Sequence, residues 1–156
     1  MNESELKANI STREHIERVR NLINYIIIKL LQRGELHDQS KLVDPESKIF
    51  AEYTDKLRGV TYGSPQYKQF LLEMGPALEH HYANNRHHPE FHQNGIQGMN
   101  LIDLLEMFVD WYASCQRHAD GDIFKSIEIN QTRFNIDPKL VSILQETARM
   151  IKNDEK

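Results

Sequence analysis

Residues 35–41 read Glu-Leu-His-Asp-Gln-Ser-Lys and place an imidazole next to a carboxylate where a long helical pattern ends. His37 and Asp38 can ligate one metal ion together, because imidazole nitrogen suits transition metals and a carboxylate can bind one metal or bridge two. About half a His-Asp dipeptide is expected by chance in a chain of this composition, so the pair alone is weak evidence. Its interpretation depends on the residues around it.

The residues before the pair predict a helix of about six turns from Ser11 to Gly34. Ser11 opens a capping-box pattern, and Gly34 is a typical helix stop. Apolar residues recur with the helical period over Val19–Leu31, and His15 lies one turn before them on the same stripe. His15 is therefore expected to face the core, where a histidine is more often structural than a metal ligand.

The chain after the pair predicts further helices and no strand. The helix starts are expected near Asp44, Ser64, Ala77, Asn100, Asp122 and Asp137. Residues 83–100 are irregular, and loops of this length in compact domains are usually functional. We expect an all-α, compact single-domain bundle of about six to seven helices. Its core is expected over residues 11–151, with flexible ends at 1–9 and 152–156.

The composition is that of a soluble globular protein. A chain of 156 residues is long enough for one domain with a buried core. Its net charge of -4 gives no electrostatic footprint for nucleic acid. The apolar run Tyr25–Leu31 is interrupted by Lys29 and is too short to cross a membrane. Cys115 is the only cysteine, so we expect no internal disulfide and a cytoplasmic location. Residues 1–9 are polar and lack a signal-peptide pattern, so we expect no export.

Two clusters of polar residues support a metal site. Five of the eight histidines lie between His80 and His92. Asp103, Glu106 and Asp110 share one face of the apolar helix that follows Asn100. The position of Asp103 in the first turn has an equally good explanation in the helix dipole, whereas a buried acid in mid-helix must be paired or bound to a metal.

The order of these residues resembles the HD-domain superfamily of metal-dependent phosphohydrolases, most closely its branch with a His-Asp-x-x-Lys motif. In that superfamily the minimal metal site is an early His, a His-Asp pair and a late Asp. The matching residues here are His15, His37, Asp38 and Asp110. The branch also has a His-His pair ahead of the late Asp, and here His80-His81 has that place. The stretch Leu78–Trp111 is also similar to a small bacterial and phage family without an assigned activity.

The resemblance implies one or two divalent transition metals per chain. The four matching residues would hold one metal, and Asp38 would bridge to a second held by His80 and His81. Lys41 matches the lysine of the motif, which the resemblance implies contacts substrate phosphate. Ligands of these types suit Mn, Fe, Co, Ni or Zn equally.

The remaining candidates are assigned by position. Arg86 is a candidate partner for a phosphate group. His87 and His88, like His92, are either proton donors and supports near the site or members of an exposed loop, with equal weight. Glu106 either orients a metal-bound water or pairs with a basic side chain. The catalytic candidates are Asp38, Lys41 and Glu106, and the substrate-binding candidates are Lys41, Arg86, His87 and His88.

These features predict a metal-dependent phosphohydrolase acting on a nucleotide or another small phosphate ester. The alternative is a non-catalytic domain that binds a metal or a nucleotide, as a sensor or partner-binding protein, for example in a phage. We expect a small phosphorylated substrate and no nucleic acid or membrane partner. The apolar excess on the helix from Leu101 to Arg117 favours a homodimer.

Overall fold

The computed structural model describes residues 2–117 and 121–154. These residues form seven α-helices, three short 3₁₀ turns and no strand, which confirms the all-α prediction. The helices are α1 (Glu3–Leu36), α2 (Glu46–Arg58), α3 (Pro65–Glu73), α4 (Gly75–Asn84), α5 (Leu101–Cys115), α6 (Ile123–Phe134) and α7 (Pro138–Asp154). The sequence also predicts a turn at Asp120-Gly121 and a solvent-facing His118. His118, Asp120 and the last two residues of the expected flexible tail lie outside the described residues.

The first helix is longer than predicted at both ends. Its capping box lies at Asn2 and Glu5: Asn2 Oδ1 accepts a hydrogen bond from the Glu5 backbone N–H at 2.9 Å, and the Glu5 carboxylate accepts one from Asn2 N–H at 2.7 Å. The predicted start at Ser11 is wrong, because good helix formers such as Lys7 and Ala8 carry the helix through that position. Gly34 does not end the helix, which continues to Leu36.

The chain consists of two units, the first of which ends at Leu36 and contains α1 alone. Large apolar side chains along α1, from Leu6 to Leu36, are exposed, and so is His15. The expected core-facing position of His15 is not found within this unit, because a unit of one helix contains no second element against which a side chain can be buried.

The second unit begins at His37 and contains the core of α5, α6 and α7. Phe108 and Tyr112 of α5 pack there with Ile127 of α6 and Leu144 and Ala148 of α7. Three of these helix starts follow the prediction. They are the starts of α3, α5 and α6, where side-chain oxygens of Ser64, Asn100 and Asp122 accept hydrogen bonds from backbone N–H groups of the first turn. The predicted start at Asp137 is a fourth, since Asp137 Oδ1 accepts a hydrogen bond from Lys139 N–H at 2.8 Å at the start of α7.

The apolar face of α5 lies within the chain's own core. Met107 and Phe108 are 1% and 0% exposed. Part of the apolar excess that favoured a homodimer is therefore buried within the chain, while Leu101 and Val109 of the same helix are exposed. The homodimer stays a prediction. Among the described residues, no helix has both the length and the apolar character needed to span a bilayer.

Candidate metal centre

Asp38 occupies a special backbone position. It immediately precedes the 3₁₀ turn Gln39–Leu42 and has a φ of 56°, in the left-handed region. Aspartate tolerates this region better than most residues because its short polar side chain can bond locally. The turn is closed by a hydrogen bond of 2.9 Å from Lys41 N–H to the Asp38 carbonyl oxygen. The left-handed backbone at Asp38 and the turn that follows it thus fix the place of its carboxylate.

Three imidazoles lie close to the carboxylate of Asp38. Its Oδ1 atom lies 3.3 Å from His81 Nε2 and 3.5 Å from His87 Nε2. His81 Nε2 lies 2.9 Å from His88 Nε2. One ligand atom from each of these four residues lies within 4.8 Å of the others. Ligand atoms around a tetrahedral zinc ion are roughly 3.3 Å apart, given bond lengths of about 2.0–2.1 Å, so this spacing suits a transition metal. We call these four residues the three-histidine group.

The hydrogen bonds around this group leave two of its inner atoms, Asp38 Oδ1 and His87 Nε2, without a donor among the described residues. His81 Nδ1 donates to Glu46 at 2.9 Å, and His87 Nδ1 donates to Glu106 at 3.1 Å. With the proton on Nδ1, each ring presents the lone pair of Nε2 to Asp38 Oδ1. Within the described part of the chain, the buried atoms Asp38 Oδ1 and His87 Nε2 make no hydrogen bond. A cation among them would remove the repulsion between these lone pairs, so the residues fit a metal.

A second ligand group shares Asp38. It consists of His37, Asp38 and Asp110. His37 Nε2 lies 3.4 Å from Asp38 Oδ2 and 3.6 Å from Asp110 Oδ1. The two oxygens of Asp38 therefore face different groups, which is the arrangement of a carboxylate that bridges two metals. We call this set the open group, because its three protein ligands leave coordination positions for water or a ligand.

Glu106 connects the two groups. Its Oε1 atom accepts a hydrogen bond from His37 Nδ1 at 3.0 Å and another from His87 Nδ1 at 3.1 Å. His37, His87 and Glu106 could also hold a metal themselves. We favour the role of hydrogen-bond acceptor, because carboxylates commonly orient the far nitrogen of metal-ligating histidines.

Glu46 was not among the residues singled out in the sequence. It is fully buried at the start of α2 and accepts hydrogen bonds from His80 Nδ1 at 2.7 Å, His81 Nδ1 at 2.9 Å and Ser40 Oγ at 3.0 Å. Asn85 in turn donates to Ser40 Oγ at 2.8 Å. The only sequence signal was the acidic first turn of α2, which is equally well explained by the helix dipole.

The ionisation of the cluster follows from its contacts. Burial, with His87 and His81 nearby, lowers the pKa of His88 to about 2, which keeps it in the neutral form that binds metal. Hydrogen bonds to Asp110 and Glu106 outweigh burial and raise the pKa of His37 to about 10.

The structure does not bring His80 into any ligand group found among the described residues. Its Nδ1 atom is directed to Glu46, and 38% of its side chain is exposed. The predicted pair His80-His81 is thus divided: His81 contacts Asp38, and His87 and His88 supply the other imidazoles. His15 lies in the first unit, whereas the three ligand groups consist of second-unit residues.

Arg86 is paired with a buried acid. Its Nε and Nη2 atoms donate to the two carboxylate oxygens of Asp103 at 3.1 and 2.9 Å, and Asp103 is 0% exposed. Asp103 also accepts a hydrogen bond from Asn100 N–H at 3.1 Å and completes the capping box of α5, so its carboxylate stabilises the start of that helix. His92 Nε2 bonds the Arg86 carbonyl oxygen at 2.8 Å.

Replacing Arg86 with Ala should lower the free energy of unfolding by about 1–3 kcal/mol, because a buried carboxylate loses a two-point partner. Urea denaturation checks this value. Arg58→Ala on α2 is the control, since 59% of the Arg58 side chain is exposed and its effect should be small. Unchanged stability combined with weaker binding of a phosphate ester would instead support the predicted substrate contact.

Comparison with known proteins places the chain among related sequences without giving it an activity. No curated protein and no solved structure matches it. A family model described as a family of unknown function matches residues 4–150. Because this match covers nearly the whole chain, the protein belongs to that family, DUF5662.

Proposed function

We propose that this protein is a metal-dependent phosphohydrolase that acts on a nucleotide or another small phosphate ester. One observation carries the proposal: Asp38 directs Oδ1 to the imidazoles of His81 and His87 and Oδ2 to His37 in the open group. A carboxylate shared in this way is typical of two-metal hydrolytic sites. The resemblance to HD-domain phosphohydrolases supports the same class of reaction. We also propose a cytoplasmic location, in keeping with the single free thiol of Cys115.

The two ligand groups suggest different tasks. The three-histidine group offers four protein ligands, the number that closes a tetrahedral structural site. The open group offers three, so a water molecule and a phosphoryl oxygen could complete its coordination. A divalent metal bound there would polarise the phosphoryl group and lower the pKa of water toward neutrality. The identity of the metal among Mn, Fe, Co, Ni and Zn is not fixed by these ligands.

The chain's own residues would prepare the site for this chemistry. Glu106 holds the rings of His37 and His87 through their Nδ1 atoms, so that both Nε2 atoms are directed toward Asp38. Lys41 places a positive charge beside Asp38, where it could attract an anionic substrate. The imidazoles of His81 and His87 are buried, which limits their contact with water.

A hydrolysis screen tests the proposal. Metal-loaded protein should release inorganic phosphate or a nucleoside monophosphate from at least one member of a panel of nucleoside mono-, di- and triphosphates, cyclic nucleotides and simple phosphate esters. Asp110→Asn should reduce that activity, because Asp110 is a ligand only in the open group. Asp137→Asn, at the start of α7, is the control and should retain activity. A panel without turnover by folded, metal-loaded protein would contradict the proposal.

The non-catalytic alternative has one observation in its favour. The three-histidine group alone satisfies a metal without leaving an open position. If this group is the only one that binds metal, the metal stabilises the fold and a nucleotide binds without being cleaved. Isothermal titration with nucleotides that show no turnover distinguishes this alternative from the enzyme.

Removing the metal should lower the melting temperature. A ligand present at about a hundred times its dissociation constant adds about 2.7 kcal/mol to the free energy of unfolding. For a chain of this size that corresponds to roughly 5–10 °C. Differential scanning calorimetry before and after dialysis against a chelator, followed by addition of metal, measures the shift. Equal melting temperatures in all three samples would contradict a metal bound in the folded state.

A further inference from the structure

The ammonium of Lys41 contacts Asp38 Oδ2, the carboxylate oxygen that belongs to the open group. Its Nζ atom is 2.5 Å from Asp38 Oδ2, and about a third of the Lys41 side chain is exposed. The ammonium also lies 5.1 Å from the centroid of the Phe50 ring. It is thus held between a carboxylate oxygen and the aromatic ring of α2.

The contact is built into the local backbone. In a 3₁₀ turn, side chains three residues apart stand one above the other. Asp38, the residue that caps the turn, and Lys41, the third residue of the turn, have this spacing. The pair differs from Lys48 and Asp44, in which 83% and 64% of the side chains are exposed. The Lys41 ammonium is therefore a fixed charge of the site and not a solvated surface group.

A metal in the open group would compete with this ammonium. Its ligands would be His37 Nε2, Asp38 Oδ2 and Asp110, with His37 Nε2 only 3.4 Å from Asp38 Oδ2. Lys41 Nζ and the metal would then share one carboxylate oxygen as neighbouring positive charges. Their repulsion is weakly screened in a half-buried site. By contrast, the oxygen of Asp38 that faces His81 and His87 is Oδ1, whereas the ion pair with Lys41 is made by Oδ2.

We propose that Lys41 takes the place of the second cation in the resting protein. This inference rests on the metal centre of the proposed function and adds its regulation. The three-histidine group binds one metal permanently, while the open group stays without metal until a phosphate group draws the ammonium away from Asp38 Oδ2. A phosphorylated substrate would then recruit the second metal that its own hydrolysis requires.

The test is a count of bound metal. Wild-type protein, Lys41→Met and Lys41→Gln are dialysed against Zn²⁺ at a free concentration buffered by a chelator, and bound zinc is measured by plasma mass spectrometry. Lys48→Met is the control, because this exposed lysine lies on α2 outside the site. Circular dichroism verifies folding, and the Gln variant replaces the Met variant if the latter does not fold.

We expect about one zinc per chain for the wild type and for Lys48→Met, and about two for the neutral Lys41 variants, with at least about tenfold tighter binding of the second ion. Adding inorganic phosphate should raise the wild-type value toward two. Two ions in wild-type protein without phosphate, or one ion in folded Lys41 variants, would overturn the role of Lys41 and leave the metal centre intact. No zinc in any sample would overturn the metal centre itself.

Discussion

Asp38→Asn should abolish metal binding while leaving the fold intact. Asp38 is shared by the three-histidine group and the open group, so its loss removes a ligand from both. Residues that only orient metal ligands typically contribute about 10–100-fold to affinity, and a direct ligand should contribute more. Asparagine has the same shape and tolerates the left-handed backbone at a φ of 56°. Loss of metal in this variant therefore reports on the carboxylate and not on a collapsed turn.

Two measurements check this result. Plasma mass spectrometry should find less than about a tenth of the wild-type metal content, following the expected loss of affinity. Calorimetry should find that a chelator no longer changes the melting temperature. Asp44→Asn is the matched control, because this nearby aspartate is exposed and pairs with Lys48. An Asp38→Asn protein that kept its metal would show that the ion is bound elsewhere.

Glu46→Gln should weaken metal binding and the fold together. The carboxylate accepts hydrogen bonds from His80, His81 and Ser40 while fully buried. A glutamine has one acceptor oxygen, and its NH₂ group would meet an imidazole N–H donor. We expect about a 10–100-fold loss of metal affinity through misorientation of His81. The free energy of unfolding should fall by about 1–3 kcal/mol for each buried donor left unpaired.

The comparison for this variant is Glu52→Gln on the same helix. Glu52 pairs with Lys56, and 61% of its side chain is exposed, so both values should stay near those of the wild type. Metal affinity is measured by competition with a chromophoric chelator, and stability by urea denaturation of the metal-free protein. A loss of stability with unchanged affinity would restrict Glu46 to a structural role.

Most helices could be predicted because their signals are local. Helix starts were predicted near Ser64, Asn100 and Asp122, and the side chain of each of these residues caps the helix that follows it. The predicted start of α1 was wrong because the sequence contains two possible capping boxes, one at Asn2 and one at Ser11. The residues before Ser11 are themselves helical, so the box at Ser11 does not begin the helix. Local patterns do not determine which of two consistent starts the chain adopts.

The candidate site could be predicted less completely because its residues meet across long separations. Neighbours on a helix point about 100° apart, so the sequence could not decide which of His80 and His81 faces Asp38. His87 and His88 belong to an irregular segment whose path has no periodicity to follow. The contacts of Glu46 with His80 and His81 result from the packing of α2 on α4, which no local sequence pattern predicts.

The central claim is that three imidazoles and Asp38 hold one transition metal. X-ray absorption spectroscopy of tag-free protein, purified without added metal and quantified by plasma mass spectrometry, tests it most directly. We predict about one metal per chain with nitrogen and oxygen ligands at roughly 2.0–2.2 Å and scattering from about three imidazole rings. Protein that contains no transition metal after reconstitution, or a metal without imidazole ligands, would contradict this account.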